Sequence, residues 1–67
     1  MELTFAKCLK DLREIRKIGQ EKLATEIGVS KGIISLWEQG KREPKLSSLL
    51  ALADYFKISI DELVNRE

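Results

Sequence analysis

The chain has 67 residues, one cysteine and no histidine, with a formal net charge of +1. That length holds one domain, near the lower limit for folding without staples; a lone cysteine excludes an internal disulfide, and without histidine or a cysteine cluster a structural zinc site is excluded too. The composition, 43% hydrophobic and 34% charged, is that of a globular rather than a disordered chain, with no apolar run near the roughly 20 residues of a membrane span and no apolar secretion signal at the N-terminus, so the expected location is the cytoplasm.

The periodicity is helical from end to end, and no stretch alternates as a strand does. Phe5, Leu9, Leu12 and Ile15 form one stripe on a first helix, which Gly19 is expected to end. A short second helix runs from about Gln20 to Ile27 with Leu23, Ala24 and Ile27 inward, and Gly28 suits the left-handed stop that follows. Ser30 reads as the N-cap of a third helix, ended by Gly40. After the loop "KREPK", Leu46, Leu49, Leu50, Leu52 and Ala53 mark a fourth helix. Ser59 and Glu62 form the S-x-x-E capping box that opens a fifth. The expectation is a single all-α, five-helix bundle over residues 1–67.

The third helix poses the functional question. Ile33, Ile34, Leu36 and Trp37 crowd four apolar residues into five positions, more than one helix face holds. With Ile34 and Trp37 assigned inward as an i, i+3 pair, Ile33 and Leu36 are expected to face outward beside Lys31 and Gly32. The alternative is a protein-contact patch. Charge adds a direction. Residues 1–45 carry ten Lys/Arg against seven Asp/Glu, a net of +3, while residues 46–67 carry two against four, a net of −2. An anionic ligand therefore belongs with the first two-thirds of the chain. Trp37 reads as core, and Cys8, in a chain with no histidine, as a packing residue. Asp11 and Glu14 read as part of a solvated ionic face on the first helix.

From Gln20 to Gln39 the chain makes helix, glycine-containing turn and helix within 20 residues, with Ala24 small enough for a close crossing. At these residues, "QEKLATEIGVSKGIISLWEQGKREPKLSSLLALADYFKISIDELV" with the upstream "LREIR", the sequence resembles the phage-repressor-like helix-turn-helix domains related to Cro and lambda repressor. Gln20, Leu23-Ala24, Gly28-Val29-Ser30, Ile34, Glu38, Gly40-Lys41 and Pro44 stand at that family's spacings. Gly19 and Lys45 depart from it, standing at cap positions where the family prefers a side-chain acceptor.

The resemblance implies a lambda-repressor-like five-helix domain, its helix-turn-helix over 20–39, that binds double-stranded operator DNA with helix 3 in the major groove, usually as a repressor. It implies base contacts from Lys31, Gly32, Ile33 and Leu36, a phosphate contact from Gln20, and an ion pair between Arg13 and Glu38. Ile33 and Leu36 could then read thymine methyls, while Ser30, Gln39, Lys41 and Arg42 would hold phosphates. Relatives bind palindromes as two-fold dimers with half-sites about 34 Å apart. Phe56, Ile58 and Ile60 are the expected dimer surface, giving a homodimer that is weak without DNA. No cofactor, metal, membrane or small-molecule ligand is expected. An antitoxin or other protein-interaction module is the alternative. Catalysis is not expected, because the chain lacks histidine, a phosphate-cradling glycine loop and a metal set.

Overall fold

The computed structural model describes residues 4–64, without the side chain of Thr4, so the ends of the expected 1–67 unit lie outside the described residues. Five helices follow in order: α1 (Thr4–Ile15), α2 (Gln20–Ile27), α3 (Lys31–Glu38), α4 (Leu46–Phe56) and α5 (Ile60–Val64). Among the described residues there is no strand. Helix α3 packs on α1 and α2, α4 on α2 and α5, and α5 returns to α1. The shared core is Leu9 of α1, Leu23 and Ala24 of α2, Ile34 and Trp37 of α3, Leu52 and Phe56 of α4, and Leu63 of α5. Each large apolar side chain withdrawn from water in this way contributes about 1.5–3 kcal/mol. Phe5 meets the Trp37 ring edge-on at 6.1 Å between centroids, which ties α1 directly to α3.

The helix ends differ from the expected ones in an instructive way. Helix α1 stops at Ile15, not at Gly19. Lys17 takes the left-handed conformation (φ 57°), and the Ile18 and Lys17 N–H groups close onto the carbonyls of Arg13 and Glu14. Gly19 is extended and is the N-cap of α2, with no side chain to offer the helix. Ile15 is consequently not part of the buried stripe; it is 73% exposed. Arg16, one residue on, reaches instead to α4, donating to the Phe56 carbonyl at 2.9 Å with its guanidinium 5.3 Å from the centre of the Phe56 ring.

Helix α4 buries Ser48, Leu52, Ala53 and Phe56. That face leaves Leu46 (65% exposed) and Leu50 (53% exposed) on the outside. Lys57 ends α4 in a second left-handed lysine (φ 60°). The capping box of α5 forms as its spacing requires: Glu62 N–H donates to Ser59 Oγ at 3.0 Å, and Ser59 N–H donates back to Glu62 Oε1 at 3.1 Å. Cys8 is buried, with its thiol 3.8 Å from the Glu62 carbonyl oxygen. Lys7 and Asp11 pair at 3.5 Å on the solvated side of α1.

Candidate nucleic-acid interface

The turn between α2 and α3 fixes everything downstream of it. Gly28 is left-handed (φ 80°), a conformation that costs a residue with a Cβ roughly 1–2 kcal/mol. Its N–H and that of Val29 both close onto the Ala24 carbonyl, at 2.9 and 3.0 Å. Ser30 is extended and accepts the Ile33 N–H on its Oγ at 3.2 Å, so α3 starts from a satisfied cap. Ala24 is buried beneath this crossing.

Helix α3 turns Ile34 and Trp37 fully into the core. Ile33 departs from the expected outward position: it is half-buried and packs against the core. The reason is helical geometry, since Ile33 lies four residues before Trp37 and residues i and i+4 share a face. Leu36 is also half-buried but stands outside that packed set. The outer surface of α3 is then Lys31, Gly32, Ser35 and Leu36, with Gln39 at its C-cap. A Cβ at Gly32 would meet only the Ser30 Oγ, at 3.8 Å. Ser35 is the outward residue that the sequence reading missed. Its signal was available, because it lies one helical turn after Lys31 and one before Gln39. Gln39 Nε2 in fact donates to Ser35 Oγ at 2.8 Å.

One charge cluster holds α3 at its back. Arg13 Nε and a terminal guanidinium nitrogen donate to the two oxygens of Glu38, at 2.7 and 3.0 Å. The two side chains are only 13% and 6% exposed. The other terminal nitrogen of Arg13 donates to the Ile18 carbonyl at 3.1 Å, capping the turn after α1. The hydrogen bond from Glu38 raises the Arg13 pKa above its ordinary value, against the opposing effect of burial and with help from the charges of Glu38 and Glu14. Gln20, expected at a phosphate, donates its Nε2 to Glu38 Oε1 at 3.1 Å. One of its two amide hydrogens is thereby taken, and the other stays available at the start of α2. A single carboxylate thus gathers α1, α2 and α3.

Lys31 opens this helix, Lys41 and Arg42 follow its C-cap Gln39 closely in the chain, and Lys45 is the N-cap of α4. Lys31, Lys41, Arg42 and Lys45 are all exposed, and none is in an ion pair among the described residues. The region therefore presents exposed positive charge beside a helix whose outer side is short, narrow and only lightly apolar. Among the described residues no group of acids and cysteines gathers as a metal site, and no helix is long and apolar enough to cross a membrane.

The expected dimer surface is partly corrected. Phe56 is fully buried, because it closes the core at the end of α4, so it cannot serve as a contact between copies. Ile58 is half-buried and packs against the core. Ile60 is also half-buried but lies outside the packed set.

Comparison with known proteins places this arrangement. The helix-turn-helix family pattern matches residues 9–63. The chain is 38% identical over 65 residues to the HTH-type transcriptional activator BcrR of Enterococcus faecalis, covering 97% of this chain and 32% of that protein. It is also 38% identical over 61 residues to the cryptic phage CTXphi transcriptional repressor RstR of Vibrio cholerae, covering 91% of this chain and 55% of the relative. The chain thus spans between a third and about half the length of these curated relatives. Its fold superimposes on the P22 c2 repressor bound to synthetic operator 9T with a TM-score of 0.89 at 33% identity, over 94% of this chain and 96% of that one.

Proposed function

The chain belongs to the helix-turn-helix family, and on that premise we propose that it is a sequence-specific DNA-binding unit of a transcriptional regulator. The observation that carries this reading is the outer side of α3, which begins at the exposed Lys31 and is followed in the chain by the exposed Lys41, Arg42 and Lys45. A helix fits the major groove in this way, with its N-terminal residues nearest the bases. Lys31 then donates to a guanine edge, Gly32 lets the helix backbone approach closely, and Leu36 meets a thymine methyl, with Ile33 adding only the part of its side chain that the core leaves uncovered. Ser30, Lys41 and Arg42 hold phosphates, as does the second amide hydrogen of Gln20. Those contacts set register without reading sequence.

Repression is the mode proposed. What supports it is the likeness to the phage repressor RstR, of which this chain spans the larger share, 55%. A single α3 reads only a few base pairs, so two copies on a palindrome, with half-sites about 34 Å apart, supply the length a specific site needs. The contact between copies is assigned to Ile60 and the uncovered edge of Ile58. The working site is DNA in the cytoplasm, with no catalytic step and no cofactor. The test is selection of bound duplexes from a random pool at stated salt, followed by footprinting. A palindromic consensus protected over the α3 half-sites supports the reading, and binding without any consensus overturns it.

A further inference from the structure

Ser35 and Gln39 make a contact that neither the core nor phosphate binding accounts for. Gln39 Nε2 donates to Ser35 Oγ at 2.8 Å on the exposed side of α3. A serine inside a helix often turns its hydroxyl back onto the carbonyl four residues earlier. Here the Ser35 hydroxyl has no partner other than Gln39 among the described residues. A hydroxyl carries one proton and two lone pairs. With Gln39 donating into a lone pair, the O–H bond is turned away from Gln39. No acceptor among the described residues takes that proton, so the hydroxyl offers it outward as a donor.

We propose that Ser35, oriented by Gln39, is a specificity-determining residue that donates to the N7 of a purine. This rests on the reading of α3 as the groove helix. The acceptors on the floor of the major groove are guanine N7 and O6, adenine N7 and thymine O4. N7 is the acceptor every purine presents, whereas thymine O4 sits beside a methyl group that suits Leu36 rather than a hydroxyl. The neighbouring residues favour the same strand. Lys31 and Ser35 follow at i and i+4, a step of about 6 Å along one ridge of the helix, and Lys31 is itself a donor. Two successive donors match neighbouring purines. Gln39 is then a positioning residue: it sets the direction of the Ser35 proton and keeps its second amide hydrogen for the flanking phosphate.

The experiment uses the full chain and duplexes selected by it from a random pool. Selection is repeated with Ser35→Ala, and the base pair at which preference relaxes is located. In the parent's duplex the purine at that pair is then replaced by its 7-deaza analogue, in which C–H stands for N7. The parent is expected to lose about 3- to 10-fold in affinity, the range of one hydrogen bond. Ser35→Ala should lose nothing from the same replacement, and Ser35→Thr, which keeps a hydroxyl, should respond as the parent does. Gln39→Leu should shrink the parent's 7-deaza penalty although Ser35 is still present. A 7-deaza penalty equal in parent and Ser35→Ala overturns the N7 contact, and so does relaxation at no position. An undiminished penalty in Gln39→Leu overturns the positioning role. A parent that selects no consensus overturns the groove reading and this proposal together, whereas a clear consensus indifferent to Ser35 overturns this proposal alone.

Discussion

Replacing Glu38 by Gln tests how α3 is held. The substitution keeps the shape and removes the charge, leaving the Arg13 side chain, 13% exposed, without its ion-pair partner. Breaking a buried pair from one side costs about 3–5 kcal/mol. Arg13 keeps its bond to the Ile18 carbonyl, which favours the lower end, about 3 kcal/mol. At roughly 0.05–0.15 kcal/mol per residue, the whole domain has about 3–10 kcal/mol to lose. For a domain of this size each kcal/mol shifts Tm by about 4–8 °C, so the expected drop is about 12–24 °C. Thermal melting followed by circular dichroism reads it. The double variant Arg13→Met, Glu38→Leu should recover most of the loss, because an apolar pair of similar volume removes both desolvation costs at once. A Tm for Glu38→Gln less than about 4 °C below the parent would refute the reasoning. It would show that water reaches Arg13 as soon as its partner is neutral, and that the pair does not anchor α3.

Three further outcomes are expected. Arg42→Ala should weaken specific and non-specific DNA alike and reduce the slope of log K against log salt by about 0.9; a loss of preference at one base pair would show that Arg42 reads sequence instead. Uracil in place of the thymine facing Leu36 should weaken the parent more than it weakens Leu36→Ala, measured by competition; equal effects in the two proteins would exclude the methyl contact. Ile60→Asp should abolish cooperative binding to a full palindrome while leaving half-site affinity and Tm close to the parent's; unchanged cooperativity would move the dimer contact elsewhere on the molecule.

The number and order of the helices were legible in the sequence because apolar spacing and turn residues agree at most boundaries. Gly28, Ser30 and the Ser59–Glu62 box take the conformations their chemistry prescribes. The misplacements share a cause, which is that periodicity assigns a face but not its width. Ile33 was turned outward by counting from Ile34, although its relation to Trp37 four residues later draws it toward the core. Phe56 is expected on the dimer surface because nothing local reveals that it closes the far side of the bundle. The early end of α1 was invisible because a lysine, Lys17, takes the left-handed turn where glycine is the usual signal. Ser35 has a spacing signal, one helical turn from both Lys31 and Gln39, but a small neutral residue carries little weight in an apolar pattern; its hydrogen bond to Gln39 is what the structure adds.

Gly32 has an evolutionary consequence. The folded domain places almost nothing against a side chain there, the nearest atom to an added Cβ being Ser30 Oγ at 3.8 Å. An alanine would even favour the helix by about 0.5–1 kcal/mol. The free protein therefore exerts no selection for glycine at this position, and any constraint on it must come from what the helix binds. Mutation at this codon can supply a new side chain at the recognition surface without first disturbing the fold. A lineage carrying this domain could in that way move to a different target through a single residue, with folding and binding evolving as separate traits.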